Sequence, residues 1–233
     1  MVEFQDCQIV VVAVRARFSN TNGTDIRMGG GTANGPIITE LALALRGFGG
    51  VVVMVTNPVD LMSRLFAEVS CITRVVGIGS NLDSARYRLI LARLLDVPVG
   101  TVQGSVIGEH GDALVVCTSS TTVNGEAVRI PIDQVRVALL DRSRQISSGI
   151  GRTRSGPAGA VLSTLRLLLG LADGMEELCR PYRRGWLGLP VSFTGGHARV
   201  CLPVLDPEET RCLEAADAKL NAAYAALAEQ LHL

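Results

Sequence analysis

The sequence predicts an α/β fold: a doubly wound parallel sheet, followed by a region of mixed α and β structure. Two observations carry this expectation. Three short apolar runs, Ile9–Val14, Val51–Val55 and Val75–Ile78, have the continuous β-branched hydrophobicity of strands buried on both faces. Between them apolar residues recur at helical spacing, and strand–helix–strand–helix–strand with short links is the pattern of parallel strands joined by crossover helices.

The elements follow in order. After IVVVAV (9–14) comes a polar, glycine-rich segment from Arg15 to about Gly35, and Pro36 sits where a first helical turn tolerates it. Ile37, Ile38, Leu41, Ala44 and Leu45 mark one face of a helix ending near Gly47. Asn57-Pro58 stops the second strand, and Val59, Met62, Leu65, Phe66 and Val69 form the next helical stripe before the third. Asn81–Leu95 reads as a helix, Val102–Ile107 as a strand and Gly108–Asp112 as a loop. Beyond it come β structure over Leu114–Thr122, helices near Pro131–Ser147 and Pro157–Leu171, and strand-like pieces at Val191–Gly195 and Val200–Leu205. Asp206-Pro207-Glu208-Glu209 reads as a capping box with proline at the first helical position, opening a last helix with Leu213, Ala216, Leu220, Tyr224 and Leu227 on its apolar face. The pattern changes near Gly79–Asn81, which divides the chain into residues 1–79 and 80–233.

Composition narrows the function classes. At 233 residues, with 48% apolar and 19% charged residues and a mean hydropathy of +0.33, the chain can bury a large core and is not disordered. Basic and acidic residues balance at 22 each, so no electrostatic footprint points to nucleic acid or an anionic membrane. No apolar run reaches the roughly 20 residues of a membrane span, and MVEFQDCQ lacks the basic start of a signal peptide. The six dispersed cysteines form no C-x-x-C and read as buried free thiols of a cytoplasmic protein. Three histidines without ligand spacing predict no metal site.

Three segments hold candidate chemistry. Thr56-Asn57-Pro58-Val59-Asp60 ends a strand, where open α/β sheets bind ligands, so the Asn57 amide could meet one; Asn-Pro also simply turns a chain. In Asn81-Leu82-Asp83-Ser84-Ala85-Arg86, Asp83 and Arg86 share a helix face, as a site pair or as a solvated ion pair. In Gly108-Glu109-His110-Gly111-Asp112 a lone histidine on a strand-end loop is placed for proton transfer or for structure.

TNPVD after a strand, NLDSARYR, and IGEHGD with its histidine 27 residues past Asp83 together resemble the lactate/malate dehydrogenase superfamily, from about Asp6 to Val123 and more weakly to the C-terminus. The resemblance implies that His110 is the acid–base group, that Asp83 orients it, that Arg86 grips the substrate carboxylate, and that Asn57 lies near substrate and nicotinamide ribose. It also places Arg27 on a mobile substrate loop and Thr153 in the substrate pocket.

The chain departs from the family's pattern in its first half. No strand–GxGxxG–helix precedes Asp6, and Met28-Gly29-Gly30-Gly31-Thr32 lacks that spacing. The chain opens at what resembles the family's fourth strand, implying a truncated Rossmann-like sheet, the second half of a dinucleotide-binding domain, ahead of an α+β catalytic domain. Without the phosphate-binding helix N-terminus the expectation is a cofactor-independent acid–base enzyme, with no bound NAD, acting on a small 2-oxo or 2-hydroxy carboxylate. The alternatives are an NAD(P)-dependent 2-hydroxy acid dehydrogenase whose nucleotide half is supplied elsewhere, and a non-catalytic binding subunit. IVVVAV would become an apolar sheet edge, which predicts a homodimer or higher homo-oligomer.

Overall fold

The computed structural model describes residues 6–17, 30–139, 141 and 155–233. Three parallel neighbours, β1 (Ile9–Val12), β2 (Val51–Met54) and β3 (Val75–Ile78), alternate in the chain with α1 (Gly31–Ala44) and α2 (Val59–Ser70). The same sheet continues antiparallel, and its order is β1-β2-β3-β9-β10-β5-β6. Here β5 is Val106–Gly108, β6 is Leu114–Val116, and β9 (Gly174–Tyr182) and β10 (Gly185–Thr194) form a long hairpin; β11 (His197–Val200) pairs with β10. A small second sheet holds β4 (Val102–Gln103), β7 (Thr122–Val123) and β8 (Glu126–Ala127). The remaining helices are α3 (Ser80–Leu95), α4 (132–139), α5 (Ser155–Leu168) and α6 (Pro207–Gln230). The doubly wound α/β expectation is met.

The central strands are buried as their composition requires. Val52 and Met54 pack with α1, α2 and α6 on one face, while Val51 and Val53 pack with Val76, Ile78 and Leu167 on the other. Each such side chain stabilises the fold by about 1.5–3 kcal/mol. β1 differs from the expectation of burial on both faces: it is an edge among the described residues, only Val12 is buried, and Val11 is 42% exposed.

Other boundaries also moved. α1 starts at Gly31, so Pro36 lies inside it rather than in its first turn, and part of the glycine-rich run is helical. The reason is close packing. A Cβ at Gly35 would come within 3.1 Å of Leu231, so the small residues let α1 approach the C-terminal end of the chain. Val102–Ile107 is split between two sheets where the Ser105 hydroxyl turns to donate to Glu177 at 2.6 Å. β9 escapes a hydrophobicity reading because its sequence, GMEELCRPY, holds two acids. Both are spoken for: Glu176 accepts from Asn81 and Thr164, and Glu177 from Ser105. The helix expected near Pro131–Ser147 is described only over 132–139. The capping box is as read: Asp206 Oδ1 accepts from Glu209 N at 2.8 Å, and Glu209 Oε2 accepts from Asp206 N at 3.0 Å. All six cysteines are free thiols, but only Cys117 and Cys179 are buried, against the expectation for the set. No described helix is long and apolar enough to cross a membrane.

Candidate active site

α2 follows β2 and α3 follows β3, so both helices begin at carboxyl ends of parallel strands, where ligands bind in open α/β sheets. Each carries an acid in its first turn, Asp60 and Asp83, where the helix dipole favours negative charge. The loop between β5 and β6 brings His110 against both.

Asp83 is buried and uses its two oxygens separately. Oδ2 lies 2.5 Å from His110 Nδ1, and Oδ1 accepts from Arg86 Nη1 at 3.1 Å. The histidine ring packs directly on backbone, since a Cβ at Gly79 would lie 2.6 Å from His110 Cγ. The three residues that the sequence singled out in two separate segments are thus in contact through one carboxylate. Arg86 also borders a cavity of about 660 Å³ between α3 and α4, shared with Ile90, Arg93, Asp133 and Val137; His110 does not line it.

The main chain of the loop is held as firmly as its ring. His110 N donates to Asp60 Oδ2 at 2.9 Å. Glu109, buried, accepts both from Ala113 N and from Lys219 of α6, whose Nζ is 2.8 Å from each carboxylate oxygen. Burial pushes the Asp60 carboxyl up to about 7, opposed by the His110 amide and reinforced by the negative Glu109 and Asp83 nearby.

Asn57 is exposed in the turn after β2, and the Asn57-Pro58 peptide is cis. Its carbonyl accepts from Asn34 Nδ2 at 2.7 Å, while Asn34 Oδ1 accepts from Ala16 N at 2.8 Å. One buried side chain of α1 therefore joins the segments that follow β1 and β2. Arg27 and Thr153 lie outside the described residues.

Asp60, Asn34 and the Glu109–Lys219 pair were not singled out from sequence. A signal existed for two of them. Asp60 interrupts an otherwise apolar helix start, Val59-Asp60-Leu61-Met62, and Lys219 is the one lysine among 22 basic residues.

No family model matches the chain. The malate dehydrogenase of Halobacterium salinarum is 34% identical over 205 residues, covering 82% of this chain and 67% of the relative. The L-2-hydroxycarboxylate dehydrogenase (NAD(P)+) of Methanocaldococcus jannaschii is 29% identical over 163 residues, covering 60% of this chain and 50% of the relative. In structure, the lactate dehydrogenase of Cryptosporidium parvum, solved with lactic acid and nicotinamide adenine dinucleotide, superimposes with a TM-score of 0.85 at 21% identity, covering 96% of this chain and 77% of that one. The chain thus spans between half and about two thirds of the length of these curated relatives.

These relatives overturn the expectation of a non-redox enzyme without a cofactor: they are dehydrogenases, one named for NAD(P)+ and one solved with NAD. That expectation rested on finding no GxGxxG unit ahead of Asp6, and where a sequence begins does not measure what its protein binds.

Proposed function

Because the chain belongs to the lactate/malate dehydrogenase family, we propose that it is a nicotinamide-dependent dehydrogenase interconverting a small 2-hydroxy carboxylate and its 2-oxo form. The observation that supports this most is the sharing of Asp83 between His110 and Arg86. One buried acid joins the group that would move a proton and the group that would hold a carboxylate, the two functions that a 2-hydroxy acid calls for.

The roles follow from the chemistry of each side chain. The carboxylate at Nδ1 selects the imidazole tautomer whose Nε2 accepts a proton. His110 takes the proton of the substrate hydroxyl, and Asp83 stabilises the imidazolium that forms. Arg86 binds the carboxylate with its planar fork, fixing C2 in place. Bound nicotinamide supplies the acceptor for the hydride released from C2. The residues present fit its nicotinamide end: Asn57 offers a donor and an acceptor from the turn after β2, three residues before Asp60, the acid that accepts from the His110 amide. Arg27 and Thr153 belong to the pocket on the family resemblance alone. On the same footing, residues 1–79 are the second half of the nucleotide-binding domain and 80–233 the catalytic domain. The six free thiols support a cytoplasmic setting.

The test is NADH oxidation at 340 nm by the full chain with pyruvate, oxaloacetate and longer 2-oxo acids. Turnover with at least one, reduced by about 10²–10⁴ in His110→Gln, is expected. A folded chain that binds oxamate but oxidises no NADH with any of them would overturn the reading.

A further inference from the structure

Asp60 is an anomaly on energetic grounds. It is buried at the start of an apolar helix, its Oδ1 makes no hydrogen bond, and Ser63 Oγ one turn later is likewise buried without a partner. An uncharged residue there would avoid desolvating a carboxylate. The groups that face it offer little compensation: from the loop, Glu109 with Lys219 beyond it; from α3, Asp83, already engaged by His110 and Arg86; from β9, the Cys179 thiol. Its one strong contact is the main-chain N–H of His110.

That contact completes a set of constraints on one residue. The ring of His110 is bonded to Asp83 from α3, its main chain to Asp60 from α2, and its Cγ rests against Gly79. Two points on one residue, tied to two different helices, fix where the imidazole points. We infer that Asp60 is a positioning residue for the acid–base pair, holding the main chain of His110 so that its ring meets Asp83. The inference rests on the reading of His110 as the proton-transfer group. It adds that the precision of the pair comes from α2 as well as α3. Burial also raises the Asp60 carboxyl to about 7, so its grip on the amide strengthens as it ionises near neutral pH.

Titration of the His110 Cε1–H by NMR tests this without cofactor or turnover, so it stands apart from the dehydrogenase reading. His110→Gln identifies the resonance among the three histidines. Asp60→Leu removes the acceptor, and Asp60→Asn keeps one. With the loop released, the imidazole loses its carboxylate partner, and its pKa in folded Asp60→Leu should fall by about one unit or more. Asp60→Asn should stay within about half a unit of the parent. A residue serving stability alone would lower Tm in Asp60→Leu and leave the titration where it was. That result, or an Asp60→Asn shift as large as that of Asp60→Leu, would overturn the inference. Should Asp60→Leu fail to fold, hydrogen exchange in the parent protein decides. The His110 amide is expected to exchange at least about 100-fold more slowly than in an unstructured peptide, and exchange at the peptide rate would overturn it.

Discussion

At the start of α3, Asp83 meets two groups able to carry positive charge, the His110 ring and the Arg86 guanidinium. At the start of α2, Asp60 meets a main-chain amide, a thiol and other acids. Both acids are buried, both sit in a first helical turn, and both reach the same histidine. What differs is company. A buried carboxylate holds its charge where opposite charge offsets lost hydration, and drifts toward neutrality where it does not. On the proposed reading, the α3 site would stabilise charge that comes and goes on an imidazole, while the α2 site holds a peptide group.

That contrast can be broken at its strongest point first. His110→Gln should lower turnover by about 10²–10⁴. Asp83→Asn should do nearly as much, because an amide can hold the wrong tautomer and cannot stabilise the imidazolium. The double variant should lose little more than the worse single one, since the pair acts as a unit. Steady-state kinetics showing additive losses would separate the two residues.

Arg86→Lys keeps the charge beside Asp83 and loses the fork. Oxamate binding by calorimetry should weaken by about 10–100-fold, and unchanged affinity would remove Arg86 from the carboxylate site.

A third variant reads the contrast as stability against pH. Asp60 has its pKa raised on folding, from 3.8 to about 7, so the folded state binds the proton more tightly than the unfolded one. Its contribution is therefore fully present below the unfolded value and is lost as pH rises through about 7. Asp60→Asn should flatten that decline and be more stable than the parent at pH 8.5, by on the order of 2 kcal/mol. Denaturant melts at pH 5 and 8.5 check it; a parent protein whose stability does not fall over that range would show that Asp60 stays ionised.

The smallest effect is expected at the loop's other tether. Lys219→Met leaves the buried Glu109 carboxylate with the Ala113 amide but without its ammonium. Lys219 is itself 39% exposed, so water substitutes in part and the loss should be about 1 kcal/mol. A loss several times larger would mean that the pair is shielded from solvent.

Asp83, Arg86 and His110, which the structure brings into contact, could be singled out because each lies in a short segment with a strand or helix end beside it, and local spacing is what a sequence displays. Asp60 stood in another such segment, Thr56-Asn57-Pro58-Val59-Asp60, and went unread as a functional residue. Its role depends on a partner 50 residues away, and so does the pairing of Lys219 with Glu109 over 110 residues. The β9–β10 hairpin was obscured for a related reason: Glu176 and Glu177 break the apolar pattern, and their partners come from α3, α5 and the break before β5.

By itself the sequence determined the parallel strands β2 and β3, the helices between and after them, and the capping box of α6. Each depends on residues within a few positions of one another, through side-chain periodicity or a cap bond across three residues. Tertiary structure decided where α1 begins, because the packing of Gly35 near Leu231 overrides the local cost of glycine and proline in a helix. It also decided which groups meet each of two similar buried acids, a histidine ring at Asp83 and a main-chain amide at Asp60. Arg86 beside Asp83 was displayed by local spacing, but the His110 ring at Asp83 and the His110 amide at Asp60 come from another element, and no local pattern carries them.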